Sequence, residues 1–218
     1  MRALRFASVL GFEIESETAH AIRLKKLLLK NIAAERIVKE FTKLLCGDCT
    51  QILREYTEVI KIFLPLGNFD EDTLDFIESS PKNPLLRLSI LLAKSISEEA
   101  EKMLRELKYD NRTVKHVTLM LSAKEIMLTD SRPQVKRLIN RFGEDAVPVA
   151  DFHLYTGKIT PELHKSITET ADSIIANGEC CTLSKLAVKG SDIDALGIFP
   201  QNRIGKVLHT LLEKVIDG

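Results

Sequence analysis

The side chains that could do chemistry in this chain are few and scattered. Cys46 and Cys49 form one C-x-x-C, and Cys180 and Cys181 are adjacent. A structural zinc site needs two well-spaced pairs, and neighbouring cysteines cannot readily turn toward one metal. A redox dithiol would want a βαβ setting, but Cys46 and Cys49 follow a helical pattern. They read as ordinary reduced thiols of a cytoplasmic protein. His20, His116, His153, His164 and His209 make no H-x-x-x-H and no His-Asp pair. Gly190-Ser191-Asp192-Ile193-Asp194 brings two carboxylates close, but no strand pattern supports it, and a cation needs a shaped ligand set. Arg2 and Arg5 remain, three residues apart and so on one helical face, each with a rigid fork of donors.

The whole chain of 218 residues balances 31 basic against 31 acidic side chains and is 44% apolar, which excludes a disordered tail. Its longest runs free of Asp, Glu, Lys and Arg are eight residues, such as Ile62 to Phe69, against about 20 for a membrane span. The opening residues lack the apolar core of an export signal, so a cytoplasmic location is expected. Local charge is uneven. Seven basic residues face two acidic ones between Arg23 and Lys43, whereas Asn68 to Ser79 holds five acids and no base. Arg132, Lys136, Arg137 and Arg141 share another segment. Such runs fit solvated helix faces or a track for a phosphate backbone, and charge alone does not choose between them.

The elements that must carry these side chains are helical. The strongest pattern is Ala34 to Cys46, where Ile37, Phe41, Leu44 and Leu45 share a face before Gly47 ends the helix. Further helices are expected from Met1 to Gly11, from Ser16 or Thr18 through Ile22, and from Cys49 to Ile62. Glu71 to Glu78, Leu85 to Ala93 behind Pro84, and Glu98 to Leu107 capped by Ser97 come next. Asn111 to Leu128, Ser131 to Phe142, Asp145 to Tyr155 and Thr160 to Asn177 follow. Two short helices and a terminal one from Ile204 to Ile216 close the chain. No convincing β-alternation occurs, so the fold class is all-α, an elongated multi-helix stack with a small helical tail.

Two stretches carry a family resemblance. Met1-Arg2-Ala3-Leu4-Arg5-Phe6-Ala7-Ser8 with Leu10-Gly11-Phe12, then Leu29 to Ile37 with Glu40 and Lys43-Leu44-Leu45, resemble the neck of the class II bacterial tRNA nucleotidyltransferases and poly(A) polymerases. Leu186-Ala187-Val188, Gly190, Asp192, Leu196-Gly197-Ile198, Ile204-Gly205 and Val215 to Gly218 are similar to that family's tail. The resemblance divides the chain into a neck (1–65), a helical body (66–178) and a tail (179–218). It implies an RNA-binding part of an enzyme that adds or repairs the 3′-terminal CCA of tRNA from CTP and ATP. A part of a poly(A) polymerase and a non-catalytic helical interaction module are the alternatives.

The resemblance also assigns roles. Arg2 and Arg5 match arginines that assist nucleotide reading. Glu35, Arg36, Glu40 and Lys43 match a motif that braces the reading helix. The magnesium-binding Asp-x-Asp of the family lies in a head with no counterpart in this sequence. No catalytic residue, metal ligand or cofactor is therefore expected here, magnesium belongs to the head, and the chain alone is expected to be inactive. Asp70 to Leu74 and Leu86 to Lys94 are similar to a metal-binding HD segment of some relatives, but Asp72 and Ala93-Lys94 replace its ligands. Contacts to the acceptor and T arms of tRNA are assigned by charge to Lys25, Lys26, Lys30, Arg132, Lys136, Arg137, Arg203 and Lys206. Neither DNA nor a membrane is an expected partner.

Overall fold

In the structure, a computed structural model describing residues 1–197 and 200–218, helices are the only regular elements among the described residues. They are α1 (Arg2–Leu10), α2 (Ser16–Leu24), α3 (Ala34–Leu45), α4 (Thr50–Glu55), α5 (Thr57–Ile60), α6 (Glu71–Ser79) and α7 (Pro84–Leu91). There follow α8 (Ser97–Glu106), α9 (Asn111–Ala123), α10 (Arg132–Phe142), α11 (Ala146–Leu154), α12 (Pro161–Ala176), α13 (Gly190–Ala195) and α14 (Gln201–Asp217). The all-α expectation holds. Of the residues that carry the tail resemblance, Ile198 lies outside the described residues.

The chain forms two compact units, one of residues 1–126 with 152–158, the other of 127–151 with 159–218. The division into 1–65, 66–178 and 179–218 follows motifs; compactness follows different lines. In the first unit α1 packs on α3 and α4, α3 on α7, and α7 and α8 on α9. In the second, α10 packs on α12 and α14, and α13 on α14.

Local chemistry sets the helix ends. The Asp70 carboxylate accepts from Thr73 N at 3.0 Å to open α6, and Asn83 with Pro84 behind it opens α7. Five expectations shift by a residue or a turn. Glu15, not Ser16 or Thr18, caps α2, accepting from the Glu17 and Thr18 amides. Asp110, not Asn111, caps α9, because its carboxylate reaches Thr113 N at 2.9 Å. Ser97 does not cap α8; its hydroxyl donates instead to Thr118 O at 3.3 Å. The segment Cys49 to Ile62 breaks at Tyr56, which adopts φ −115° and ψ 23°. And α9 stops at Ala123 rather than Leu128, where the buried His153 ring meets Ala123 O at 3.0 Å.

A buried arginine organises the first unit. Arg87 of α7 is 3% exposed. Its Nη1 donates to Leu45 O at 2.9 Å and Gly47 O at 2.6 Å, its Nη2 to Ser80 O at 3.1 Å, and its Nε to the Ser80 hydroxyl at 3.2 Å. Leu45 and Gly47 are where α3 ends. Its last carbonyls lack partners along the helix and carry the negative end of the dipole, so the cation satisfies both needs. Replacing it should strand those acceptors in an apolar core. Arg87→Met is expected to lower stability by about 3 kcal/mol, measured by urea unfolding.

Candidate functional site

The helix bearing Arg2 and Arg5 is seated by a small set of close contacts. Leu4 of α1 is fully buried, and the Ser8 hydroxyl donates to Leu44 O at 2.7 Å. Asp48 N donates back to Ser8 O at 2.8 Å. Gly47 permits this approach, because a Cβ there would stand 2.3 Å from Ser8 O. The glycine that ends α3 thus also admits α1.

On this seat Arg5 lies against Phe6, its guanidinium carbon 4.2 Å from the ring centroid, with Arg2 over the same ring at 5.8 Å. Arg5 Nε lies 2.7 Å from Glu40 Oε2, both side chains being mostly buried. Neither atom has an aligned hydrogen bond, so the contact is ionic. Of the four residues matched to the bracing motif, Glu40 reaches α1. Glu35, Arg36 and Lys43 are exposed on α3. Arg2 is exposed as well, which leaves its fork of donors open to a ligand.

The residues assigned to RNA by charge divide between the two units. In the first, Lys25 and Lys30 are exposed, and Lys26 pairs with Glu58 at 3.0 Å. Lys25 caps a short 3₁₀ helix, Lys26–Asn31, that carries the other two and from which Leu27 and Leu28 project into solvent. In the second unit α10 is far less cationic than its sequence. Arg132 makes a forked pair with Glu179, Lys136 reaches the same carboxylate at 3.1 Å, and Arg137 meets Glu213 at 2.9 Å and Asp217 at 2.5 Å. Arg203 and Lys206 are exposed on α14. The acids paired with Arg132 and Arg137 lie 47 to 80 residues away in sequence, beyond the reach of any local pattern.

The carboxylates that could invite a cation are otherwise engaged. Asp192 Oδ2 accepts from Lys189 N at 2.7 Å at the start of α13. Lys94, standing where the HD segment would supply ligands, pairs with Asp70. That ammonium, with Thr73 and Asn68, holds the Asp70 carboxyl well below the usual carboxylate range. Among the described residues no group of three or more His, Cys, Asp or Glu is placed to hold a metal. The four cysteines are free thiols, and burial pushes the Cys49 thiol up, away from the reactive thiolate.

Sequence reasoning missed Arg87, Ser8 and Gly47 as the parts that seat α1. The polar Ser8 within an otherwise apolar stripe was the available signal.

Comparisons with known proteins show what the chain is similar to. Residues 11–65 match the family described as "Probable RNA and SrmB- binding site of polymerase A". A CCA-adding enzyme of Lactococcus lactis subsp. cremoris is 27% identical over 99% of this chain and 53% of its own length. One from Bacillus cereus is 35% identical over 56% of this chain and 32% of its own. The crystal structure of Bacillus stearothermophilus CCA-adding enzyme in complex with CTP superposes with a TM-score of 0.74 at 23% identity, covering all of this chain and 56% of that one.

Two outcomes test the geometry. Gly47→Ala should unseat α1, seen as faster amide exchange from Leu4 to Ser8 while α9 stays protected. Arg132 and Lys136 hold the Glu179 carboxyl down to about 2, so it stays ionised in the fold where an unfolded glutamate protonates near 4.5. Its contribution is complete above about pH 4.5 and is lost as pH falls toward 2. The melting temperature should therefore fall more for the wild type than for Glu179→Gln across that window. Along 99% of its length the chain is similar in sequence to a CCA-adding enzyme and it shares the fold of another, and it spans about half the length of the curated relatives it matches.

Proposed function

We propose that this chain is the RNA-holding part of a tRNA nucleotidyltransferase that adds or repairs the terminal CCA with CTP and ATP. The observation that carries the reading is the match to a CCA-adding enzyme across 99% of the chain. The RNA-binding family model over residues 11–65 supports it further.

On this reading Lys25, Lys26 and Lys30 in one unit, and Arg132, Lys136, Arg137, Arg203 and Lys206 in the other, meet phosphates of the acceptor and T arms. Such contacts fix position rather than sequence, as is usual for duplex RNA. Holding the 3′ end still supplies rate by orientation, while the chemistry belongs to a magnesium-binding head. Arg2 and Arg5 take part in reading the incoming nucleotide. Arg5, fixed by Glu40 and stacked on Phe6, offers a preset direction for its remaining donors. Arg2, exposed, lies over the same ring at 5.8 Å. The place of work is the cytoplasm, where tRNA is finished.

A poly(A) polymerase part is the second reading, favoured by the description of the matching family. Supplying the chain with a separately expressed family head separates the two: incorporation of CTP followed by ATP supports the first, and ATP alone the second.

The chain should bind tRNA weakly at low salt, with affinity falling steeply as salt rises. Lys25→Ala with Lys30→Ala should lower affinity about tenfold and flatten the salt slope by 1 to 2, measured by fluorescence anisotropy with labelled tRNA. Affinity that ignores salt, or no binding at low salt, contradicts the reading.

A further inference from the structure

The acids that pair with α10 are not equivalent. Arg137 faces two carboxylates, Glu213 and Asp217, both on α14. Arg132 and Lys136 share one, that of Glu179. One charge is left over there. Lys185 adds to it, since the Lys136 and Lys185 cations both bear on the neighbouring Cys181 thiol.

The contact also has the geometry of anion recognition. Arg132 presents Nε, at 3.2 Å, and Nη2 to the two oxygens of Glu179 as a fork. Lys136 Nζ closes on one of those oxygens at 3.1 Å as a third donor. The fork is itself steadied, because Nη2 also donates to the Ser173 hydroxyl of α12 at 3.2 Å. A planar fork with an ammonium beside it fits a phosphate's oxygens as readily as a carboxylate's.

The carboxylate can leave without disturbing the fold. Glu179 sits in the turn that closes α12, where its own N–H bonds Ile174 O at 3.1 Å. That backbone bond stays while the side chain rotates about its own torsions. Arg132 is 42% exposed and Glu179 23%, so the site opens to solvent from one side. Lys136, at 13%, forms its floor.

We propose that Arg132 and Lys136 form a binding site for one RNA backbone phosphate, and that Glu179 fills it in the free chain. An incoming phosphodiester then takes the place of the carboxylate, which swings to solvent. The proposal rests on the RNA-holding reading and adds to it a built-in competitor. A tethered carboxylate is present at high effective concentration, so only an anion delivered with further contacts, as along an RNA backbone, displaces it. Isolated anions such as inorganic phosphate are thereby kept out. The α10 cations remain available to RNA but cost little in self-repulsion when RNA is absent.

The test is tRNA binding by the full chain at fixed low salt, read by anisotropy, with circular dichroism confirming the fold of each variant. Glu179→Gln should tighten binding about fivefold, the worth of one exposed ion pair. Glu98→Gln, which removes the same charge from the exposed start of α8 in the other unit, should leave affinity within twofold. With Arg132→Ala in the background, the gain from Glu179→Gln should disappear. Inorganic phosphate at millimolar concentration should compete with tRNA for Glu179→Gln more than for the wild type.

If the wild type binds and Glu179→Gln matches it or matches Glu98→Gln, the competitor is refuted while the RNA-holding reading stands. If no variant binds tRNA, that reading falls and this proposal falls with it.

Discussion

A guanidinium without a carboxylate partner among the described residues sits at the centre of the first unit. Arg87 stands between α7, the Ser80 turn and the end of α3, and its donors are spent on three backbone carbonyls and one hydroxyl. Burying an arginine costs several kcal/mol, and only nearly full satisfaction of its donors offsets that. The constraint then spreads. With Gly47 O fixed, the turn after α3 is fixed. With the turn fixed, Ser8 finds both Leu44 O and Asp48 N, and α1 comes to rest where Arg5 meets Glu40. The helix proposed to read a nucleotide is thus set by a residue about eighty positions away that touches none of the proposed ligands.

The second unit solves a different problem. A helix with four basic residues repels itself and needs counter-charge. Glu179 and the end of α14 supply it, and α10 is thereby tied to both of its neighbours. The same pairs that steady the packing reduce the field available to a phosphate backbone. Exposed pairs are weak and screened by salt, so the arrangement is easily exchanged for contacts with RNA. On the proposed function, stability and recognition draw on the same cations.

How much of this was legible in the sequence depends on how local the cause was. The helices were, because Ile37, Phe41, Leu44 and Leu45 repeat at helical spacing and glycines and prolines mark most ends. The α8 terminus shows the limit: Lys108 takes φ 64°, a left-handed turn that no glycine announced. Caps were legible to within a residue, since neighbouring Asp110 and Asn111 compete for one role and only geometry picks the winner. Glu40 was singled out only through the family resemblance, and its carboxylate lies 2.7 Å from Arg5 Nε on α1. Arg87 was not, for its partners at the end of α3 lie 40 and 42 residues away and are backbone carbonyls, identical in every sequence. The neutralised face of α10 was hidden for the same reason. Counting charges along a segment misses acids that arrive through the fold.

On the proposed function these helices hold the acceptor and T arms of a tRNA. Nuclease footprinting of end-labelled tRNA with the purified chain tests it most directly. Protection is expected along the acceptor stem and T arm, fading as salt rises, with the anticodon arm cleaved as in free tRNA. Protection centred on the anticodon arm, or none at concentrations well above that needed for non-specific binding, would contradict it.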